Sequence, residues 1–197
     1  MTRVTCDITV STDGFAAGPN QSLENPLGEG GERLHRWMIE QPDENVAEVA
    51  AILDAGAYIM GRNMFGPGRG DWDTDWTGWW GDDPPYHAPV FVLTHYPREP
   101  LPMAGGTTFY FVTDGIDSAM EQARAAAGEK SVAVAGGAST VRQYLSAGLI
   151  DELRLHVAPI ELGAGEPVLP GLPNPNLEEV GRRQNELVTH VTYRHAS

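Results

Sequence analysis

Residues 131–165 read SVAVAGGASTVRQYLSAGLIDELRLHVAPIELGAG. The first run, Ser131–Ala135, is β-rich and stops at Gly136 and Gly137. Val141, Tyr144 and Leu145 then fall at helical spacing, and Gly148 ends that helix in the left-handed position that favours glycine. From Glu152 to Ala158, Leu153, Leu155 and Val157 alternate with Arg154 and His156, the period of a strand. Strand, paired glycines, helix and strand make a β-α-β unit. Residues without Cβ let an anion approach the backbone, and the first amides of the helix point toward it. A plain tight turn is the competing reading of the pair. Gly136 to Thr140 lacks the G-x-G-x-x-G spacing of a Rossmann fingerprint.

Composition sets the bounds. The 197 residues suit one domain, and a 41% hydrophobic content can fill a core. A net charge of −14 speaks against nucleic acid or an anionic membrane as partner. Lys130 is the only lysine, so cationic contacts to a phosphate fall almost entirely to arginine. Cys6, the single cysteine, sits in an apolar run and reads as a buried strand residue. No leader-like start and no run of transmembrane length is present, so a soluble cytoplasmic protein is expected.

Outward from the β-α-β unit, Arg3–Val10 reads as the opening strand, with Val4, Cys6, Ile8 and Val10 on one face and Thr5, Asp7 and Thr9 on the other. A Ser11–Gly14 turn, the short apolar run Phe15-Ala16-Ala17 and a polar loop over 18–31 follow. That loop is either a lid or a surface excursion. Helices are expected over Glu32–Gln41, on an apolar stripe of Leu34, Trp37 and Met38, and over Asp43–Ala55. The second of these has Asp43 as its cap and Val46, Val49, Ala50 and Leu53 on its inner face. Ala57–Met60 and Pro89–Thr94 read as buried strands, Thr107–Thr113 as a further strand, and Asp114–Ala127 as a helix. Between residues 65 and 88 stand five aspartates and four of the five tryptophans, Trp72, Trp76, Trp79 and Trp80. This segment is expected to be an ordered loop, packed either on the body or over a ligand. A brief run at 166–171 and a Pro/Asn-rich connection to Asn176 precede a closing antiparallel pair, 177–183 and 187–195. The order predicts an α/β fold with a mostly parallel sheet, helices on both faces and an antiparallel C-terminal edge.

Three strand ends carry candidate ligand-binding residues: Gly61-Arg62-Asn63-Met64, Leu93-Thr94-His95 and Gly136-Gly137-Ala138-Ser139-Thr140. Ligands of open α/β sheets sit beyond such carboxyl ends, and this set suits a polyanionic nucleotide. The six histidines show no metal-binding spacing, so no metal is expected. No nucleophile elbow or Walker A motif is present, and His156 reads as a packed or edge histidine.

These pieces resemble the dihydrofolate-reductase-like superfamily. The closer likeness is to the reductase domain of the bifunctional riboflavin-biosynthesis deaminase/reductase and its stand-alone relatives. Ser11-Thr12-Asp13-Gly14-Phe15, Met60 to Phe65, Pro84-Pro85-Tyr86-His87 before Pro89–His95, Gly136 to Thr140, Gly148 to Leu153, Ala158-Pro159-Ile160 and Leu162-Gly163-Ala164-Gly165 carry it, in order along nearly the whole chain. The resemblance implies a three-layer dihydrofolate-reductase-like domain, a homodimer and NADPH as cofactor. Gly61, Arg62, Asn63 and Met64 would meet the cofactor phosphates, Leu93, Thr94 and His95 the adenosine phosphate region, and Gly136 to Thr140 the pyrophosphate. Phe15, Ala16 and Ala17 would flank the nicotinamide. The substrate would be a small heterocycle or ribosylaminopyrimidine. Met64 stands where folate-reducing relatives often carry threonine, and the zinc deaminase motif is missing. Glu32 and Glu40 are the candidates for the acid that such relatives carry on the helix after the first loop, and Asp13 for the polar group near the reacting centre, although Asp13 also reads as an ordinary Asp-Gly turn residue. A binding protein that has lost catalysis and a flavin enzyme are the alternatives.

Overall fold

The computed structural model describes residues 2–66, 68–169 and 176–195. Parts of the expected 166–176 connection therefore lie outside the described residues. Among the described residues nine strands form one sheet: β1 (Val4–Ser11), β2 (Ala57–Gly61), β3 (Pro89–Leu93), β4 (Leu101–Pro102), β5 (Thr108–Val112), β6 (Val132–Gly136), β7 (Glu152–Ala158), β8 (Leu177–Gln184) and β9 (Thr189–His195). Their order across the sheet is β4-β5-β3-β2-β6-β1-β7-β9-β8. Pairing is parallel from β5 through β7 and antiparallel at both ends, where β4 meets β5 and where β9 meets β7 and β8. The C-terminal antiparallel edge is the one expected from sequence. The two-residue β4 is an addition, too short to leave a periodic signal.

Helices flank the sheet on both faces. On the face of Val4, Cys6, Ile8 and Val10 lie α4 (Gly115–Ala127) and α5 (Ala138–Ser146). Ala119, Met120 and Ala123 of α4 and Val141, Tyr144 and Leu145 of α5 share one apolar core with those strand residues. The Tyr144 hydroxyl donates to the Ile116 carbonyl at 2.8 Å, which pins the two helices together. Cys6 is fully buried there, and burial drives its thiol pKa well up, as fits a packing residue.

The opposite face carries a 3-10 turn (Gly31–His35), α1 (Arg36–Glu40), α2 (Val46–Leu53) and the tryptophan-rich loop. The first expected helix is thus a tight turn that runs into a short α-helix, with Leu34 and Trp37 buried as its stripe predicts. The second expected helix is corrected in two respects. Asp43 lies in a separate 3-10 turn, and Asn45 takes the cap position without capping the helix through its side chain. Its apolar stripe is not a core face: Val46 is 61% and Leu53 36% exposed. Helical period alone cannot say whether a face meets protein or a cleft, and Ile52 and Leu53 line a cleft.

The loop that follows β2 combines both readings of it. Trp72, Trp76 and Trp80 pack on a second apolar core with Phe65, Tyr86 and Phe109, whereas Trp79 and Trp80 line the same cleft as α2. Indole N–H groups tie the loop down: Trp72 donates to the Tyr96 carbonyl at 2.8 Å and Trp76 to the Phe65 carbonyl at 2.9 Å.

Gly56 separates α2 from β2 at a point where a Cβ would stand 2.2 Å from the Ala127 carbonyl oxygen at the end of α4. Overpacking of this kind costs about 1–3 kcal/mol. Gly56→Ala is expected to lower the melting temperature by about 2–4 °C per kcal/mol lost. An unchanged melting temperature in calorimetry would contradict this packing.

Candidate functional site

A cleft of about 1020 Å³ runs along the carboxyl ends of the central strands. The end of β2 turns directly into α3 (Arg62–Phe65), a single helical turn. Beside it, β6 ends at Gly136 and α5 begins at Ala138. The β2–β6 register pairs Ile59 with Val134 and Met60 with Gly136, which sets the two loops side by side. A Cβ on Gly61 would stand 2.4 Å from the Thr140 hydroxyl oxygen, so residue 61 has no room for a side chain. Gly136 has φ +133°, a backbone suited to glycine, and the peptide bond to Gly137 is cis. A Cβ on Gly137 would meet nothing within 4 Å, so the backbone there borders open space.

All residues of the three predicted strand-end sets line this cleft: Gly61, Arg62, Asn63 and Met64; Leu93, Thr94 and His95; and Gly136, Gly137, Ala138, Ser139 and Thr140. Ala16 and Ala17 also line it. Phe15 does not; its backbone bridges to Pro167 instead.

Arg62 is held flat by aromatic rings. Its guanidinium carbon lies 3.9 Å from the Trp72 ring centroid and 5.2 Å from that of Tyr96. Nη2 donates weakly to the Asp71 carbonyl at 3.4 Å, while Nε and Nη1 are buried with no hydrogen-bond partner among the described residues. Burial lowers the guanidinium pKa from its usual value, yet arginine keeps its charge in proteins. A charged group with two unanswered donors, next to an open glycine backbone and a helix start, can take an anion. Arg69, missed as a site residue because its glycine-rich segment neither ends a strand nor starts a helix, also lines the cleft and hydrogen-bonds Asn63 Oδ1.

The acid candidates Asp13, Glu32 and Glu40 lie outside the cleft lining, and Glu40 pairs with Arg36 at 2.6 Å. Asp13 does not line the cleft; its carboxylate accepts from the amides of Leu162 at 3.1 Å and Gly163 at 2.7 Å. Its pKa is lowered, first by a hydrogen bond from Ser11 and further by those amides. Glu32 is exposed in the 3-10 turn and also lies outside the cleft lining. The acid in the lining whose side chain is buried is Asp7, with His156 beside it. The signal for them was present, since Thr5, Asp7 and Thr9 form a polar strand face that this sheet, covered on both sides, must bury. Among the described residues no group of three His, Cys, Asp or Glu side chains is placed to hold a metal ion.

The family model described as the RibD C-terminal domain matches residues 2–193. An uncharacterized Bacillus subtilis (strain 168) protein, YyaP, is 24% identical over 176 residues, covering 84% of this chain and 79% of that one. A solved structure from Shewanella sp. PV-4, named for riboflavin biosynthesis, superposes over 100% of both chains with TM-score 0.63 and 24% identity. A Thermotoga maritima structure named as a diaminohydroxyphosphoribosylaminopyrimidine deaminase/5-amino-6-(5-phosphoribosylamino)uracil reductase matches with TM-score 0.59 and 16% identity. The match covers 99% of this chain and 57% of that one. Both structures share the fold described above.

Depression of the Asp13 pKa means that its hold on the 162–163 amides is present above the usual carboxylate range and fades as pH falls through the lowered value. Asp13→Ala is expected to speed hydrogen exchange at the Leu162 and Gly163 amides while leaving ligand affinity of the cleft unchanged. Loss of ligand affinity without faster exchange would return Asp13 to the site.

Proposed function

The chain belongs to the RibD C-terminal domain family, and on that premise we propose that it is an NADPH-dependent reductase of a small nitrogen heterocycle. The observation that carries this reading is Arg62. Two of its nitrogens are buried with no hydrogen-bond partner among the described residues, and it lies in the same cleft as the Gly136-Gly137 turn and the start of α5.

These residues fit a dinucleotide. Arg62 would pair with a phosphate, with its plane fixed by Trp72. The backbone from Gly136 to Thr140 would bind the pyrophosphate, and the missing Cβ at Gly137 leaves that backbone open. Leu93, Thr94 and His95 would border the adenosine side. Ala16 and Ala17 would let a flat ring approach closely. When bound, NADPH supplies hydride; the protein aligns donor and acceptor, excludes water and provides a proton. The name of the Thermotoga maritima relative supports a ribosylaminopyrimidine as the acceptor.

The displacement of Asp13 and Glu32 from the cleft favours a second reading, a nucleotide- or pterin-binding protein without turnover. The two part in one assay. NADPH is mixed with the protein and with 5-amino-6-(5-phosphoribosylamino)uracil or dihydrofolate, and the absorbance of the reduced nicotinamide is followed. Oxidation that depends on both protein and acceptor supports the reductase; binding without oxidation supports the binder. Arg62→Ala is expected to weaken NADPH about tenfold or more, the worth of a charge-assisted contact. Unchanged affinity in titration calorimetry would contradict the assignment of Arg62.

A further inference from the structure

The two ends of the cleft differ in charge. Arg62 and Arg69 stand near the turn after β2, where Arg69 is tied to Asn63. The cleft also reaches back along β6 to Ala133, three residues before Gly136, or about 10 Å at the rise of a strand. Ala133 pairs with Thr5 and with Tyr58, on the sheet face opposite Cys6. An aromatic wall rises from that point. The Tyr58 ring centroid lies 4.8 Å from that of Tyr86, and the Tyr86 centroid 5.2 Å from that of Trp80. The Ala55 amide donates to the Tyr58 hydroxyl at 3.2 Å, which brings the end of α2 to the same place. Ile52 and Leu53 of α2 belong to the cleft lining.

Charge in the sequence decides what this second end can attract. Three loop and helix segments contribute to the lining: 18–31 through Gln21 and Leu27, 42–55 through Ile52 and Leu53, and 71–88 through Trp80 and Tyr86. They contain no lysine or arginine and carry two, four and five acidic residues, respectively. Lys130 and Arg183 pair with Asp54 and Glu48 but line no part of the cleft. All 13 lysines and arginines of the chain are among the described residues, and of these Arg62 and Arg69 alone line it.

The histidines of the lining do not supply the missing charge. His95 lies past the carboxyl end of β3, which the register sets level with Gly61 and so on the arginine side. Burial first, and then His156, lowers the pKa of His35, so it is neutral near pH 7. His156 lies 3.3 Å from the Asp7 carboxylate, so any charge it carries is answered within the protein. The aromatic wall is neutral as well: burial pushes the phenol pKa up at both Tyr58 and Tyr86.

A phosphate taken out of water needs cations or several donors around it. At the Tyr58 end it would meet the electron-rich faces of aromatic rings, aliphatic side chains and acidic neighbouring segments. A flat uncharged ring gains from the same surface, because aromatic side chains pair with it edge-on or offset. We propose that the end of the cleft at Tyr58, Tyr86, Trp80 and Leu53 is the acceptor subsite and that it selects an uncharged, flat heterocycle bearing no phosphate. The inference rests on the reductase reading of the cleft and narrows its acceptor. Arg62 and Arg69 are left to the cofactor, so the phosphate in the name of the Thermotoga maritima relative has no cationic partner in this subsite.

The test uses the full chain saturated with NADP+ and two pyrimidines that differ only in the group at issue: 5-amino-6-(5-phosphoribosylamino)uracil and the same compound without its phosphate. Titration calorimetry is expected to show the unphosphorylated compound binding about tenfold tighter or more. Equal or tighter binding of the phosphorylated compound overturns the proposal, and so does failure of both to bind. Leu53→Arg adds a cation at this end on a partly exposed residue, and Leu53→Gln is its uncharged control. The arginine variant is expected to bind the phosphorylated compound about tenfold tighter than the glutamine variant does. Equal affinities in the two variants overturn the placement of the subsite at α2. Steady-state oxidation of NADPH separates this inference from the reading beneath it. Turnover that favours the unphosphorylated compound supports both. Turnover that favours the phosphorylated compound supports the reductase and overturns this inference. Tighter binding of the unphosphorylated compound with oxidation by neither supports the subsite and overturns the reductase reading.

Discussion

A side chain has no room at residue 61. The Thr140 hydroxyl oxygen would lie 2.4 Å from any Cβ there, so the backbone of the turn after β2 abuts the Thr140 side chain in the first turn of α5. Parallel pairing of β2 with β6 forces that contact, because it carries both strands to their carboxyl ends at the same level. The neighbouring features of the cleft follow from this contact. Arg62, one residue after the glycine, is set against Trp72, and the Gly137 backbone is left open toward the cleft. The cleft is lined by residues distant in sequence but adjacent in the sheet.

A second constraint acts one strand further on. Central strands of a covered sheet bury both faces, and β1 brings Thr5, Thr9 and the side chain of Asp7 into the interior. A buried carboxylate is tolerated only when paired. Arg154 bridges Asp7 to Glu152, and Arg3 and Arg194 close around Glu152 at the rim. The network therefore has its ends at the surface and its least satisfied atoms, Asp7 Oδ1 and His156 Nε2, on residues of the cleft lining. Ion pairs and cleft-lining residues are parts of one network.

Much of this was legible in residue patterns, for identifiable reasons. The β-α-β unit at 131–158 shows because its strand and helix periods are clean and glycine punctuates both ends. The three strand-end sets show because glycine, arginine and small hydroxyl residues follow apolar runs. The position of α2 did not show: Val46 and Leu53 keep helical spacing while facing solvent or the cleft, and spacing carries no information about what lies opposite. Asp13 misled because an acid beside a glycine turn resembles a site residue, whereas its oxygens are taken by the amides of Leu162 and Gly163, almost 150 positions away. Asp7 and His156 were visible as polar members of alternating strands. Only the three-dimensional pairing reveals that their partners leave one nitrogen and one oxygen unanswered.

If the loops after β2 and β6 hold one ligand together, titration with NADP+ moves the backbone amide chemical shifts of both. The Gly61–Met64 and Gly136–Thr140 amides are expected to move in concert, with one common affinity, while β8 and β9 stay unchanged. Shifts confined to one of the two loops, or displaced to the antiparallel edge, would contradict it.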